Sequence, residues 1–376
     1  MHLPPVTGLI LKVAGACNLN CGYCYVYNAK DQTHRSRPGL LSDELLDRVL
    51  TRAVDYCQAR PGHRLAICLH GGEPLLLGKA RFAEVVTRIR ERLGPHLASL
   101  AVQTNGVLID PAWADLLQSL RLSVSLSLDG DAAVNDAGRP DHMGRGTYAA
   151  ASQGLQRLLA AGVRVSVLCV VRPGASGAAV YRHLRSLGVR SLDFLLPDIS
   201  HDDYGDVFGD QGLLPAADYL IPAIDAWLQE DDASVDVRFF TDVLRLALGD
   251  EADTDAFGGG PSSYLVIETD GAIQANDALR VCEEGLGETG LNVLTHGFDD
   301  LHLARALPLQ VFAGALQTPG GCAGCQEEAT CAGGYLPHRY SRARGFDNPS
   351  VWCADIQAIF SHARAVLAAD AAAQRP

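Results

Sequence analysis

From Gly8 to about Leu196 the chain alternates short apolar runs with longer stretches in which apolar residues recur at helical spacing. The short runs predict strands at 8–13, 65–69, 100–103, 122–128, 163–171 and 191–195. The longer ones predict helices at 42–58, 79–93, 111–119, 147–160 and 176–187. Several carry terminal signals: Ser42 with Asp43 and Glu44 opens the first helix, Gly94-Pro95 closes the second, and Gly162 and Gly188 follow two others. Strands that alternate with helices in this way form a parallel α/β sheet. Six strands are too few for a closed eight-stranded barrel. In parallel α/β proteins ligands sit beyond the carboxyl ends of the strands.

After Leu196 the pattern changes. Residues 197–212 and 249–263 are rich in Asp and Gly and are expected to be solvated loops, with an acidic docking surface for a basic peptide as the alternative. A further helix is expected at 215–229. Two apolar runs, 264–268 and 272–275, flank Thr269-Asp270-Gly271 and predict a β-hairpin. The Ala-rich tail is expected to end a helix. The chain is expected to divide into two domains, 1–235 and 236–376.

The chain has 376 residues, 48% of them hydrophobic, enough for a large core and two or three domains. A formal net charge of −13 disfavours nucleic acid and anionic membrane as partners. The first residues have neither the basic nor the apolar segment of a signal peptide, and no run of eighteen apolar residues occurs. With that start, those of the eleven cysteines that stand at metal spacing are expected to be cluster ligands in a reducing cytoplasm rather than disulfides.

Three of them, Cys17, Cys21 and Cys24, stand at C-x3-C-x2-C spacing directly after the first strand. Three thiols leave one iron of a four-iron cubane without a protein ligand, open to a small molecule bearing an amine and a carboxylate. A zinc site is the alternative, but structural zinc sites close with four ligands and no fourth lies nearby. The loop resembles the signature of the radical SAM enzymes. That resemblance implies a [4Fe–4S] cluster that binds S-adenosylmethionine and cleaves it to a 5′-deoxyadenosyl radical. It also implies an open partial (β/α)6 barrel.

Other segments fit the same family. Gly71-Gly72-Glu73-Pro74 follows the second strand. Its glycines permit close backbone approach to a ligand and its carboxylate can accept from an ammonium group, although an ordinary strand-to-helix turn has the same composition. By resemblance it is the family's GGEP motif, which contacts the SAM amine. Tyr23 holds the aromatic position that in the family packs near the adenine, the alternative being a core tyrosine. Ser127, in Ser125-Leu126-Ser127-Leu128-Asp129-Gly130, and Arg139 match the residues that hold the SAM carboxylate or ribose. An arginine can grip a carboxylate with two hydrogen bonds.

Cys322, Cys325, Cys331 and Cys353 supply four further thiols, enough for one closed [4Fe–4S] cluster or a zinc site. Behind a radical SAM core they resemble a SPASM domain, whose auxiliary clusters lie near a peptide substrate. Full SPASM domains hold two auxiliary clusters. Here Asn276 and Tyr335 stand where cysteines are expected, so one auxiliary cluster is expected. Segments 331–340 and 345–353 resemble the maturases that build cyclophane rings in ribosomal peptides; the anaerobic sulfatase maturases are more distant relatives. Cys57, Cys68 and Cys169 sit in apolar patterns and are expected to be small core residues. Cys282 has no assigned role.

The resemblance implies a maturase that joins a side-chain Cβ to an aromatic ring in a precursor peptide. Alternatives are oxidation of Ser or Cys to formylglycine, a thioether or an epimerisation, and, in another class, a metal-stabilised peptide-binding protein without catalysis. An electron donor such as flavodoxin or ferredoxin is implied as a partner. With the first strand beginning at Gly8, leader recognition is expected from the barrel, the C-terminal domain or a separate protein. Asp277, in a stretch resembling the sulfatase-maturase D-G-x-x-x-x-C-D, is expected to accept a proton or orient the substrate. The alternative is an Asp that caps the turn after the hairpin.

Overall fold

The structure is a computed structural model that describes residues 3–209, 212, 214–251, 256–257 and 260–373. Its strands are β1 (Gly8–Ala14), β2 (Leu65–Gly71), β3 (Leu97–Thr104), β4 (Ser123–Ser127), β5 (Arg164–Val170), β6 (Ser191–Leu195), β7 (Asp236–Val237), β8 (Tyr264–Ile267), β9 (Ala272–Gln274) and β10 (Glu288–Asn292). The fold is mixed α/β with an open sheet, and the six strands expected from the alternating pattern are β1 to β6. Compactness divides the chain differently from a boundary at 235/236. One unit comprises Met1–Ser127, Asp136–Ser166 and Pro261–Ala315; the other comprises Leu128–Asn135, Val167–Gly260 and Leu316–Pro376.

In the first unit the strands run β10-β9-β8-β1-β2-β3-β4. The hairpin forms as expected, with Val266 opposite Gln274 and Ile267 opposite Ile273. It also extends the sheet, because β8 pairs in parallel with β1 from Gly8↔Tyr264 to Leu11↔Ile267. Both strands are short runs of branched apolar residues, the composition of strands covered on both faces. The helices start where the sequence predicts. Ser42 Oγ accepts from Leu45 N at 3.1 Å at the head of Asp43–Gln58, and Asp110 Oδ1 accepts from Trp113 N at 2.7 Å before Pro111–Ser119. Each satisfies a backbone donor that has no intrahelical partner.

In the second unit β5, β6 and β7 pair in parallel, with Val167 opposite Leu192 and Leu192 opposite Val237. Residues 197–212 are not simply a loop: His201–Phe208 is a helix. Its Tyr204 and Phe208 rings lie 5.1 and 5.2 Å from the fully buried Trp352, which offsets the cost of ordering an acidic segment. Residues 210, 211, 213, 252–255, 258 and 259 of the two Asp- and Gly-rich stretches lie outside the described residues. A second unexpected helix, Arg238–Ala247, buries Phe239, Phe240, Val243 and Leu246, an i, i+1, i+4, i+7 pattern that was legible in the sequence. The tail belongs to the helix Cys353–Ala373. Among the described residues no helix is long and apolar enough to cross a membrane.

Candidate active site

The sheet of the first unit has two unlike faces. Leu9 and Leu11, Ile67 and Leu69, Val102, Val124 and Leu126 are fully buried on one. The other carries half-buried small or polar residues along β2, β3 and β4. Near the strand ends a polar row crosses this second face. Lys12 is in register with His70 and Gln103 with Ser125, while Ser166 Oγ lies 3.4 Å from Ser125 Oγ. A wholly structural core disfavours such a row, because each buried polar group must find a partner.

The cysteine loop leaves β1 at this end. Backbone bonds brace it from both sides: Cys24 N donates to Cys21 O at 3.0 Å, Gly22 N to Gly138 O at 3.1 Å, and Asn20 N to Pro140 O at 2.9 Å. Cys17 Sγ accepts from Leu19 N at 3.4 Å, and Asn105 Nδ2 approaches it at 3.8 Å while donating to Asn18 Oδ1 at 2.7 Å. Burial pushes the Cys17 thiol up to about 12, and Glu73, Cys21 and Cys24 add to the effect. Cys24 is also raised, chiefly by burial. Thiols gathered in this way need a cation to become thiolates, and bound iron supplies one.

The Gly71-Gly72-Glu73-Pro74 turn lies directly under that loop. Gly72 N donates to Ala14 O and Glu73 N to Ala16 O, each at 2.8 Å. A Cβ on Gly71, whose φ is +148°, would run into the Ala14 carbonyl, and one on Gly72 into the Ala16 carbonyl and the Tyr27 hydroxyl. The backbone that these glycines admit is therefore the chain's own. Glu73 is fully buried, and burial raises its pKa. Its carboxylate accepts from Leu75 N at 3.0 Å, Thr104 Oγ1 at 2.7 Å and Asn105 N at 2.8 Å. Glu73 thus ties the ends of β2 and β3 together, and Pro74 opens the short 3-10 turn Pro74–Leu77.

Tyr23 and Arg139, distant in sequence, meet in the structure: Arg139 Nη1 donates to the Tyr23 hydroxyl at 2.7 Å. Thr147 Oγ1 holds the Arg139 carbonyl at 2.6 Å, and Asp136 accepts from Thr147 N and Tyr148 N at 2.8 and 2.7 Å. Ser127 Oγ accepts from Gln103 Nε2 at 2.8 Å on the half-buried face.

Asp277 is 7% exposed and opens the 3-10 turn Asp277–Val281. It does not cap that turn; Asn276 does, its Oδ1 accepting from Ala278 N at 2.9 Å. The Asp277 Oδ2 atom lies 2.7 Å from Lys12 Nζ and accepts from the Tyr25 hydroxyl at 3.2 Å. Burial pushes its pKa up, but Lys12, His70 and Arg280 outweigh this and hold it at about 2. Lys12 also lies 3.3 Å from Glu268, which Arg280 meets at 2.8 Å and Arg37 at 3.5 Å. His70 Nδ1 accepts from Gly71 N at 2.8 Å, so its proton sits on Nε2. Burial, followed by Lys12, lowers its pKa.

In the second unit Cys322, Cys325, Cys331 and Cys353 line one cavity of about 300 Å³, including its mouth. Burial raises Cys331 to about 12, with the other three thiols nearby adding to the effect. Gln357 Nε2 lies 3.6 Å from both Cys325 Sγ and Cys353 Sγ. Cys282 is buried in the first unit, as is Cys57, while Cys169 is buried across β5; Cys68 is half-buried on the polar face. Among the described residues no three or more His, Cys, Asp or Glu side chains are placed to hold a single metal ion.

Residues 11–187 match the Radical SAM superfamily. Just under half of the chain is thus similar to a radical SAM domain. The chain is 26% identical over 283 residues to a cysteine-type anaerobic sulfatase-maturating enzyme of Clostridium perfringens (strain 13 / Type A), covering 73% of this chain and 75% of that one. It is 29% identical over 348 residues to a serine-type anaerobic sulfatase-maturating enzyme of Klebsiella aerogenes, covering 88% and 79%. Its fold matches that of native anSMEcpe with bound AdoMet and Cp18Cys peptide, with a TM-score of 0.81 at 22% identity over 99% and 100% of the two chains.

Radical SAM chemistry implies S-adenosylmethionine and a [4Fe–4S] cluster, and the first unit's donor set fits them. Three soft thiols on one braced loop leave one iron open. The sequence had not drawn attention to Lys12, Tyr25, Glu268, Arg280 or Asn105. A signal was present for two of them, since Lys12 places a charge inside an apolar strand and Glu268 places one directly after another.

Proposed function

We propose that this radical SAM enzyme acts on a ribosomally made precursor peptide and joins a side-chain Cβ to an aromatic ring. In this reading Cys17, Cys21 and Cys24 hold the SAM-cleaving cluster, and Cys322, Cys325, Cys331 and Cys353 hold one auxiliary cluster. The Gly71–Pro74 turn, Tyr23, Ser127 and Arg139 shape the SAM pocket. A cluster held by Cys17, Cys21 and Cys24 would supply the one-electron reduction of SAM to a 5′-deoxyadenosyl radical, with an external donor of the flavodoxin or ferredoxin kind as the source of the electron. The substrate would lose one hydrogen atom to that radical, one electron, which a cluster held by Cys322, Cys325, Cys331 and Cys353 would accept, and one proton, which Asp277 would accept. These account for the two hydrogens lost when a C–H and an aryl C–H become one C–C bond.

The observation that carries the choice is Asn276. In the sulfatase-maturase pattern a cluster cysteine precedes the acid, whereas here that side chain caps a turn and the acid beside it is held in an ion pair. The second reading, oxidation of Ser or Cys to formylglycine, is favoured by the 26–29% identity to sulfatase-maturating enzymes over most of the chain. The test is anaerobic turnover with the short peptides encoded beside this chain, followed by mass spectrometry and carbonyl trapping. A loss of two hydrogens with no trapped carbonyl and a new bond between two residues is expected. A product captured by a hydrazide would replace the crosslinking reading with the second one.

A further inference from the structure

A lysine is costly to bury, and Lys12 is 2% exposed in a strand otherwise apolar from Leu9 to Ala14. Two carboxylates compensate its charge, and they are used differently. Glu268 is engaged at both oxygens, Oε1 by Lys12 and Arg280 and Oε2 by Arg37. At Asp277 the Lys12 ion pair, at its nearest approach, and the Tyr25 hydrogen bond both meet Oδ2. Two contacts that converge on one oxygen restrict how the carboxylate turns and favour its other oxygen as the one that receives a proton. If Lys12 served only to neutralise buried acid, nothing would require the two contacts to converge on one oxygen.

We infer that Lys12 is a positioning residue: it pins Asp277 through Oδ2 so that Oδ1 is the atom presented to the substrate, and it remains as counter-ion to keep that carboxylate ionised. This rests on Asp277 being the proton acceptor proposed above. The arrangement also explains why the pin is on β1. The same strand runs directly into the loop bearing Cys17, so one rigid element carries both the radical-generating cysteines and the anchor of the acid. Tyr25, which follows Cys24, adds a second tie from that loop. The ionisable groups around Asp277 are Lys12 on β1, His70 on β2, Tyr25 in the cysteine loop, Glu268 after β8, and Arg280 in its own turn. Among the described residues only Lys12 forms an ion pair with it.

The experiment compares wild type, Lys12→Met, Lys12→Arg and Asp277→Asn as cluster-loaded enzymes. Infrared spectra of protein with isotopically labelled aspartate, each minus Asp277→Asn, read the Asp277 carboxylate without any substrate. Production of 5′-deoxyadenosine, and crosslinked product per 5′-deoxyadenosine with a peptide that wild type converts, give the chemical readouts. The wild-type carboxylate is expected to stay ionised from about pH 6 to about pH 8. In Lys12→Met, loss of the cation leaves burial to dominate, so the acid is protonated in part or all of that range, because buried carboxyls rise by several units. Product per 5′-deoxyadenosine then falls about tenfold or more, SAM cleavage persists, and Lys12→Arg restores the ionised band and part of the product. A wild-type-like band and product ratio in Lys12→Met overturns the inference, as does a protonated Asp277 in the wild type itself. Lys12→Gln replaces Lys12→Met if the latter does not fold, with the same expectations. A full product yield from Asp277→Asn would instead remove the proton-acceptor reading, while the infrared arm would still report whether Lys12 sets the ionisation.

Discussion

The two cysteine sites differ in how they are built. In the first unit three thiols come from eight consecutive residues, and the loop that carries them is braced by backbone bonds to the 138–140 segment and stacked on the Gly71–Gly72 turn. In the second unit four thiols spread from Cys322 to Cys353 converge on one cavity, the last of them at the head of a 21-residue helix. The count of thiols would separate their chemistry in the proposed reading: three would leave an iron of a cubane open for a small molecule, and four would close one. The construction also separates them. The open site depends on a local loop held against a sheet, whereas the closed one depends on the packing of distant segments.

The largest effect expected follows from the open site. Changing Cys17, Cys21 and Cys24 together to Ala should abolish 5′-deoxyadenosine formation, while iron held by the four-thiol cavity remains; detectable cleavage would end the distinction between the sites. Cys331→Ser should do the reverse. Iron should fall from about eight to about four per chain, with SAM cleavage kept and peptide product lost. About twelve irons in the wild type would require a third site.

Asp277→Asn should leave both clusters loaded and cut product by about a hundredfold, the usual scale for an acid–base group, with SAM cleavage preserved. The same acid should also be visible in stability. Its folded pKa, held at about 2, lies below the unfolded value of about 3.9. Its contribution, about 2 kcal/mol, is therefore full above pH 4 and disappears as pH falls toward 2. Acid denaturation of the cluster-free protein should begin at higher pH in Asp277→Asn than in the wild type.

Gly71→Ala tests how much the open site depends on its support. The added methyl meets the Ala14 carbonyl at a φ of +148°, so a loss of about 1–3 kcal/mol and poorer loading of the three-thiol site are expected, with the four-thiol site unaffected. Thermal melting and iron content check both. The smallest effect belongs to Asn276→Ala. Removing the bond to Ala278 N should cost about 1 kcal/mol with no change in iron content. A drop of about four irons would mean that Asn276 sits beside a cluster after all.

Much was legible without coordinates because it is local. The β1–β6 strands and the five helices expected between them follow from apolar periodicity and from signals such as the Ser42 cap, which acts within one turn of chain. The three-thiol loop was equally legible, since its ligands are neighbours in sequence. The tertiary structure alone decided which distant segments meet. Nothing in residues 264–267 says that they pair with 8–11, because parallel partners are chosen by long-range packing and not by a turn between them. Tyr25 and Asp277 are 252 residues apart, and only the closing of β8 onto β1 brings Asp277 to Lys12. The glycines of Gly71-Gly72 could be read from sequence as room for a ligand; the folded chain fills that room with its own backbone at Ala14 and Ala16. A spacing motif records which groups a short loop can present, while burial, ionisation and the partner of each charge depend on everything packed around it.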